Sequence, residues 1–123
     1  MIDSEDLARR FLSTLEARDW DAWAALLAED VVYEMPQTRE RVTGRAAYLA
    51  FNQTYPGEWH LSPKVVIGNS QRAVAWFGFR LDDESGGGQA FIEIGPDGLI
   101  TRVTDFWPEP YDPPARPVPV ERW

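Results

Sequence analysis

The spacing of apolar residues changes along this chain from a helical period to a strand-like one. In the first half, apolar residues recur every three or four positions in three stretches, which predicts three amphipathic helices. The acidic stretch 3–6, Asp19 and Thr43 supply the capping side chains that start them. The predicted apolar stripes are Leu7, Phe11, Leu12 and Leu15; then Trp20, Trp23, Ala24 and Leu27; then Tyr48, Phe51 and Tyr55, on a helix running from Gly44 to about Thr54.

Beyond Tyr55-Pro56-Gly57 the pattern alternates with a period of two, which is typical of strands. A further short strand is expected at 31–35, where Pro36 ends it. The strands predicted for the second half are 59–67, 73–81, 90–94 and 99–107, joined as an antiparallel meander.

Two segments between these elements look like loops. Residues 82–89 contain Gly86-Gly87-Gly88 and are expected to form a flexible hairpin loop. They lack the helix and the Lys-Ser/Thr pair of a phosphate-binding loop, so that function is excluded. Residues 37–45 are polar and carry three arginines, which is typical of a solvated loop. The alternative is that they guide an anionic ligand to a pocket.

The last predicted strand contains an acid among large apolar residues. Alternation places Val103, Asp105 and Trp107 on one face, with Arg102 and Phe106 on the other. Asp105 is therefore either an exposed carboxylate or one that lines an apolar pocket.

Composition excludes several classes of function. The 123 residues suffice for one core and are 44% apolar, with six tryptophans that suit a core, a pocket wall or an interface. A net charge of −8 argues against binding to nucleic acid or to an anionic membrane surface. The chain has no cysteine, so disulfides and thiolate sites are excluded.

The expected location is the cytoplasm. The acidic N-terminus has no signal-peptide pattern, and no apolar run approaches the ~20 residues of a membrane span.

The chain is expected to divide at Trp107. Six of its ten prolines lie between Pro108 and Pro119, which excludes a helix or a central strand there. We expect a domain at 1–107 and a proline-rich tail at 108–123. The tail is expected to dock on the domain or on a dimer partner, with Tyr111 and Trp123 as anchors.

Four segments together resemble one known family. They are Arg10-Phe11-Leu12-x-x-Leu15-x-x-x-Asp19-Trp20, Ala25-Leu26-Leu27-Ala28-Glu29-Asp30-Val31, Val42-Thr43-Gly44-Arg45-Ala46-Ala47, and Asp97-Gly98-Leu99-Ile100 followed by Asp105-Phe106-Trp107. In their order and spacing they resemble the SnoaL-like or NTF2-like domains, over about Leu7 to Trp107. The resemblance implies an α+β cone of the cystatin/NTF2-like type. In that fold three N-terminal helices pack on a strongly curved antiparallel sheet and enclose a pocket.

Each branch of the family uses particular catalytic residues, which can be compared with the residues at the same positions of this chain. The ketosteroid isomerase branch uses a tyrosine, an aspartate base and a protonated aspartate, and these positions fall on Phe11, Met35 and Ala90. None of these can donate or accept the required proton, and Glu34 lies on the opposite strand face. Steroid isomerase chemistry is therefore not expected.

Two further branches place an aspartate at Asp105. The limonene epoxide hydrolase branch also needs an Arg-x-Asp pair in the middle of a strand, whereas Arg80-Leu81-Asp82 lies at a strand end. SnoaL-type polyketide cyclases use such an aspartate for an aldol closure without metal or cofactor. The resemblance thus implies Asp105 as acid/base, in a site where burial would raise its pKa. The alternative is a structural Asp105, hydrogen-bonded to a Tyr or Trp.

The remaining site candidates are weaker. Glu93 either meets Asp105 across the sheet or faces solvent, and His60 is expected on a solvated face although histidine is a natural general base. No metal site and no cofactor are expected. The predicted substrate-binding residues are Tyr33, Met35, Tyr48, Phe51, Asn52, Tyr55, Trp59, Phe77, Phe79, Phe91, Glu93, Val103 and Trp107.

These observations predict a domain that binds a hydrophobic small molecule, with cofactor-independent acid/base catalysis by Asp105. The alternative is a non-catalytic ligand-binding or dimerisation module. A homodimer is expected through the outer sheet face, where alternation places Trp76, Ile92 and Ile94.

Overall fold

The computed structural model describes residues 3–123, in which three helices accompany a six-stranded mixed sheet. The fold is α+β, as predicted. The elements are α1 (Ser4–Glu16), α2 (Trp20–Ala24), β1 (Leu27–Met35), β2 (Glu40–Thr43), α3 (Arg45–Gln53), β3 (Trp59–Gly68), β4 (Arg72–Leu81), β5 (Glu84–Ile94) and β6 (Ile100–Phe106).

The first two helices begin where side-chain caps were predicted. Asp3 accepts a hydrogen bond from the Asp6 amide at 3.1 Å, and Asp19 accepts one from the Ala22 amide at 3.3 Å. Each cap satisfies one of the amides that a helix start leaves without a partner. The predicted stripe of α1 is buried throughout, with Leu7, Phe11, Leu12 and Leu15 each at most 5% exposed.

The sheet places the last strand at its centre. The strand order is β2-β1-β6-β5-β4-β3, and β1 pairs with β6 in parallel, with Tyr33 opposite Val103. The other four pairings are antiparallel, and β3 to β6 form the predicted meander. The parallel pair is what makes the sheet mixed, whereas an antiparallel sheet was expected. It also brings Tyr33 beside Asp105.

The polar segment 37–45 is not a loop throughout. Residues 40–43 form the edge strand β2, with Tyr33 opposite Val42, so the predicted solvated loop is wrong at these positions. Thr43 ends this strand, and the N-cap of α3 is Gly44, whose φ of +95° suits glycine. An edge strand can be this polar because one of its sides faces water.

The predicted flexible loop at 82–89 is also wrong over most of its length. Strand β5 begins at Glu84, and only a two-residue turn separates it from Leu81. The glycines lie within the strand, with Gly86 opposite Phe79 and Gly88 opposite Phe77. β1 likewise starts earlier than predicted, at Leu27, which was assigned to the second helix.

The facing of β5 is the reverse of the one predicted. Ala90 pairs with Asp105 and Ile92 with Val103, so Ile92 and Ile94 face the core and are at most 9% exposed. Because side chains alternate, a one-residue error in phase turns every side chain of a strand to the other face. Trp76 is exposed on the outer face, as predicted, and the other exposed apolar residues of this face are Val65, Ile67, Phe91 and Phe106. Homodimerisation through this face stays a prediction.

The tail at 108–123 has no helix or strand assigned to it. Pro108 and Pro110 lie against the domain at the rim of a cavity, whereas Tyr111 and Trp123 are exposed. The predicted anchoring by Tyr111 and Trp123 on this chain's own domain is therefore not observed, and docking on a dimer partner stays a prediction. No helix within residues 3–123 has the length and apolar character needed to cross a membrane.

Candidate functional site

A cavity of about 470 Å³ lies between the inner face of the sheet and helices α1 and α3. Its volume is within the range of small-molecule sites in proteins. Most of its wall is apolar or aromatic, and exposed polar residues such as Glu84, Ser85 and Glu109 lie at its rim.

Asp105 reaches this cavity from β6. Its side chain is buried, with 8% exposure, and its Oδ2 accepts a hydrogen bond from the Tyr33 hydroxyl at 2.6 Å. Within residues 3–123, the other carboxylate oxygen, Oδ1, is buried and has no hydrogen-bond partner. Tyr33 thus holds one carboxylate oxygen, and the described residues provide no donor for the other.

The buried environment changes the pKa values of the Asp105 carboxyl and the Tyr33 hydroxyl. Burial raises the pKa of Asp105 from 3.8 to about 7, and the hydrogen bond from Tyr33 partly offsets this rise. Burial and the neighbouring Asp105 carboxylate raise the pKa of the Tyr33 hydroxyl, so it remains a donor. Near neutral pH, Asp105 can therefore exist in either protonation state, as a proton-transfer group requires.

A column of aromatic rings fixes Tyr33. Its ring stacks on Tyr48 of α3 with centroids 4.5 Å apart and planes at 14°, and Tyr48 rests edge-on against Trp23 of α2 at 4.8 Å. Trp23 is fully buried, so this column is anchored in the core. The hydroxyl that orients Asp105 is in this way positioned by three elements of the fold.

The glycines of β5 make room for a second aromatic cluster. A Cβ at Gly88 would lie 2.8 Å from Phe77 Cζ and 3.0 Å from Trp107 Cε3. Those rings, together with Phe79, pack edge-on at centroid distances of 5.0–5.4 Å and form one wall of the cavity. The glycine run is therefore part of the cavity wall.

The structure brings most of the predicted site residues together. Those that line the cavity are Asp105, Tyr33, Met35, Tyr48, Phe51, Asn52, Tyr55, Trp59, Phe77, Phe79 and Trp107. The positions that the resemblance aligned with isomerase catalytic groups, Phe11, Met35 and Ala90, line it as well. Because these three side chains are apolar, they add no ionisable group to the cavity, whose interior contains the Asp105 carboxyl group.

Three predicted site residues do not line the cavity. Phe91 and Glu93 are on the outer face of β5, where Phe91 packs on Phe106 and Glu93 lies 3.8 Å from Arg102. Their prediction as pocket residues is wrong because the phase of β5 was reversed. Val103 points inward but is fully buried in the core.

Two other candidates have structural contacts elsewhere. His60 lies outside the cavity, where its Nδ1 is 2.9 Å from Glu16 Oε2 and links β3 to the end of α1. Arg41 is paired with Glu34 at 2.8 Å, and Arg45 donates to the Leu27 carbonyl at 3.3 Å. These contacts give no support to the guiding of an anionic ligand by the segment 37–45.

Sequence reasoning missed part of the cavity wall. Leu12 and Leu15 were assigned only to the core, although a helix stripe that covers a sheet can also cover a cavity in it. No pattern marked the residues at the rim, since their position depends on the length of β5 and on the path of the tail. The missed residues are Leu12, Leu15, Thr38, Leu61, Leu81, Glu84, Ser85, Gly86, Gly87, Pro108, Glu109 and Pro110.

Metal ligation finds no support in the described ranges. Residues 3–123 contain no group of three or more His, Cys, Asp or Glu side chains placed to hold a metal ion.

A cavity between helices and a sheet, with one buried carboxyl inside, defines this chain as a small α+β domain with a candidate ligand site. The chain belongs to the SnoaL-like domain family, whose profile matches residues 8–107. A curated relative is the uncharacterized protein YesE of Bacillus subtilis, 29% identical over 113 residues that cover 80% of this chain and 77% of YesE.

Solved structures have the same fold. A Kribbella flavida protein described as a candidate ketosteroid isomerase is 48% identical, with a TM-score of 0.88 over 96% of this chain and 91% of its own. A Xanthomonas campestris protein described as a candidate polyketide cyclase is 28% identical, with a TM-score of 0.70 over 85% of this chain and 90% of its own. An NTF2-like protein from Burkholderia xenovorans, 18% identical, has a TM-score of 0.79 over 89% of this chain and 85% of its own.

Proposed function

We propose that the cavity binds a hydrophobic small molecule and that Asp105 exchanges a proton with it, without a cofactor. The observation that carries this proposal is that Asp105, whose buried Oδ1 has no partner within residues 3–123, lines an otherwise largely apolar cavity. An acid/base group needs an oxygen that donors of the fold do not occupy, and Tyr33 occupies only Oδ2 of Asp105.

The reaction class follows from the side chains present. Chemistry of the steroid isomerase type is not proposed, because Phe11, Met35 and Ala90 line the cavity where that chemistry needs ionisable groups. A single acid/base carboxyl beside a tyrosine donor suits a cyclase-like or isomerase-like proton transfer at carbon. The alternative function is binding without turnover, in which the Tyr33–Asp105 hydrogen bond only closes the apolar wall.

The proposal can be tested with a carbon acid, a compound whose C–H proton a buried base can remove. With 5-nitrobenzisoxazole, the Asp105 carboxylate would take the proton from carbon 3. The C–H electron pair then forms the nitrile, the N–O bond breaks, and 2-cyano-4-nitrophenolate leaves with the oxygen electron pair. We expect the chain to exceed free acetate in rate, and the rate to rise with pH around a midpoint near 7, where Asp105 ionises.

Asp105→Asn should lower this rate about 100-fold, in the range measured for loss of a general base. Glu93→Gln is the matched control, because it removes a carboxylate from the opposite face of the same sheet. A rate that Asp105→Asn leaves unchanged would remove Asp105 from the proposed role.

Blocking the cavity gives an independent prediction. Gly86 lines the cavity at its rim, and a Cβ built there meets no described atom within 4 Å. Gly86→Trp should therefore fill the rim and lower the rate at least about tenfold, since a site must be concave and accessible to bind its ligand. Because glycine weakens strands, thermal unfolding should show no loss of stability.

Gly86→Ala serves as the control, since it changes the backbone preference without closing the cavity. Equal rates for Gly86→Trp and the unsubstituted chain would place the reaction outside the cavity.

A further inference from the structure

The charged groups that line the cavity all have the same sign. They are the carboxyl groups of Asp105, Glu84 and Glu109, and no Lys, Arg or His of residues 3–123 is among the lining residues. Glu84 and Glu109 are exposed at the rim, and the whole chain carries a net charge of −8. A cavity of this kind repels anions at its entrance and inside.

The apolar wall is unusually rich in aromatic rings, whose faces carry negative electrostatic potential. Rings of this kind attract cations within about 6 Å of their centroids, and they recognise quaternary ammonium groups in particular. The aromatic residues that line the cavity are Phe11, Tyr33, Tyr48, Phe51, Tyr55, Trp59, Phe77, Phe79 and Trp107.

The Asp105 carboxyl group is the third feature of the cavity that favours a cation, after the acidic rim and the aromatic rings. Asp105 lines the cavity; Tyr33 donates a hydrogen bond to its Oδ2, while its Oδ1 is buried and has no partner within residues 3–123. An ionised carboxylate in an apolar site lacks a counter-charge, and a bound cation would provide one.

We propose that the cavity takes an organic ammonium ion with an apolar body, whose cationic end lies beside the Asp105 carboxylate among the aromatic rings. This inference rests on the proposed function in one respect, that the cavity binds a small molecule. It goes further by naming the charge of that molecule. The apolar body would fill the region beside Phe77, Phe79 and Trp107.

The titration of Asp105 makes binding pH-dependent. The ionisable groups that line the cavity with it are the hydroxyls of Tyr33 on β1, of Tyr48 on α3 and of Tyr55 just beyond α3, with Glu84 of β5 and Glu109 of the tail at the rim. The lining residues from α1, β3 and β4 are apolar or aromatic. Since the pKa of Asp105 is raised to about 7, affinity for a cation should increase as pH rises through 7.

Three probes of nearly equal shape test the charge. They are benzyl(2-hydroxyethyl)dimethylammonium, the neutral alcohol 3,3-dimethyl-4-phenylbutan-1-ol, and the anion 3,3-dimethyl-4-phenylbutanoate. At pH 8, with binding followed by tryptophan fluorescence and calorimetry, we expect the cation to bind at least about tenfold more tightly than the alcohol. The anion should bind most weakly.

The pH dependence of binding and one variant test whether the preference for the cation depends on Asp105. At pH 5.5 the preference of the unsubstituted chain for the cation should fall several-fold, because Asp105 becomes protonated. Asp105→Asn should lose the preference at pH 8, whereas Glu93→Gln should keep it. The pH series needs no substitution, so the inference remains testable if Asp105→Asn does not fold.

The outcomes separate the inference from the proposed function. Equal or tighter binding of the neutral alcohol at pH 8 would overturn the ammonium inference and leave a hydrophobic binding site intact. Tighter binding of the anion would overturn it in the same way. Failure of all three probes to bind would overturn the inference, while the benzisoxazole reaction would still test Asp105 as a base.

Discussion

Asp105→Asn is expected to be less stable than the unsubstituted chain at pH 4 and more stable at pH 8. In the folded chain, burial raises the pKa of Asp105 from 3.8 to about 7, so the folded state binds the proton more tightly than the unfolded state. The free energy of unfolding therefore falls as pH rises from about 4 through 7. A rise of about three pKa units corresponds to a loss of about 4 kcal/mol.

Asparagine at position 105 has no such pH dependence. Its side-chain carbonyl can still accept the hydrogen bond from Tyr33, but its amide group would be buried where Oδ1 has no partner among residues 3–123. The protonated Asp105 has one O–H at this point, whereas asparagine has two N–H groups, and the additional unsatisfied buried donor costs about 1–3 kcal/mol at every pH. The variant should thus be about 2 kcal/mol less stable at pH 4 and about 2 kcal/mol more stable at pH 8.

Urea denaturation of both chains between pH 4 and pH 8.5 checks this prediction, with circular dichroism as the signal. The quantity to compare is the difference between the two chains, in which the titration of all other groups cancels. Glu93→Gln controls for loss of one negative charge, since Glu93 lies partly exposed beside Arg102. A difference that stays constant across this pH range would contradict the raised pKa of Asp105.

The sequence predicted the order of the elements other than β2, and the acid on the last strand, because these depend on local patterns. The α1 stripe and the Asp19 cap are read within a few residues, and both are found as predicted. The alternation on β6 places Asp105 and Val103 on the same face, as expected, and both are buried. Local preference and the final fold agree at these positions.

The errors fall where local patterns are ambiguous. Phe91, Ile92 and Ile94 put apolar residues on both faces of β5, so alternation could not decide its phase. The pairing of Ile92 with Val103 decides it. Edge strand β2 and the glycine-rich start of β5 are both paired with neighbouring strands, and residue preference opposes a strand at the glycines of β5.

The sequence alone also could not decide whether Asp105 is exposed or buried. The deciding contact joins Tyr33 to Asp105 across 72 positions of sequence. It depends on the parallel pairing of β1 with β6, for which the sequence has no local signal. The free Oδ1 follows from the same geometry, because Tyr33 reaches only one oxygen of the carboxylate.

Trp23→Ala should cause the largest loss of stability, about 3–5 kcal/mol. Trp23 is fully buried, and its ring lies 5.8 Å from Phe11 and 4.8 Å from Tyr48. Its loss would leave a void behind Tyr48, so the Tyr33–Tyr48 stack that orients the donor to Asp105 would lose its support. The benzisoxazole rate should therefore fall even under conditions where the variant remains folded.

Trp23→Phe distinguishes the stability lost with the ring's packing from any effect of the indole N–H. Within residues 3–123 the Trp23 Nε1 has no hydrogen-bond partner, so phenylalanine keeps much of the ring volume and removes an unsatisfied donor. We expect it to cost about 1 kcal/mol, well below the alanine variant. Trp123→Ala, at a fully exposed ring, should leave the unfolding midpoint in urea unchanged. If Trp23→Ala were as stable as Trp123→Ala, the aromatic column would not support the site, and Tyr33 would have to be positioned by β1 and Asp105 alone.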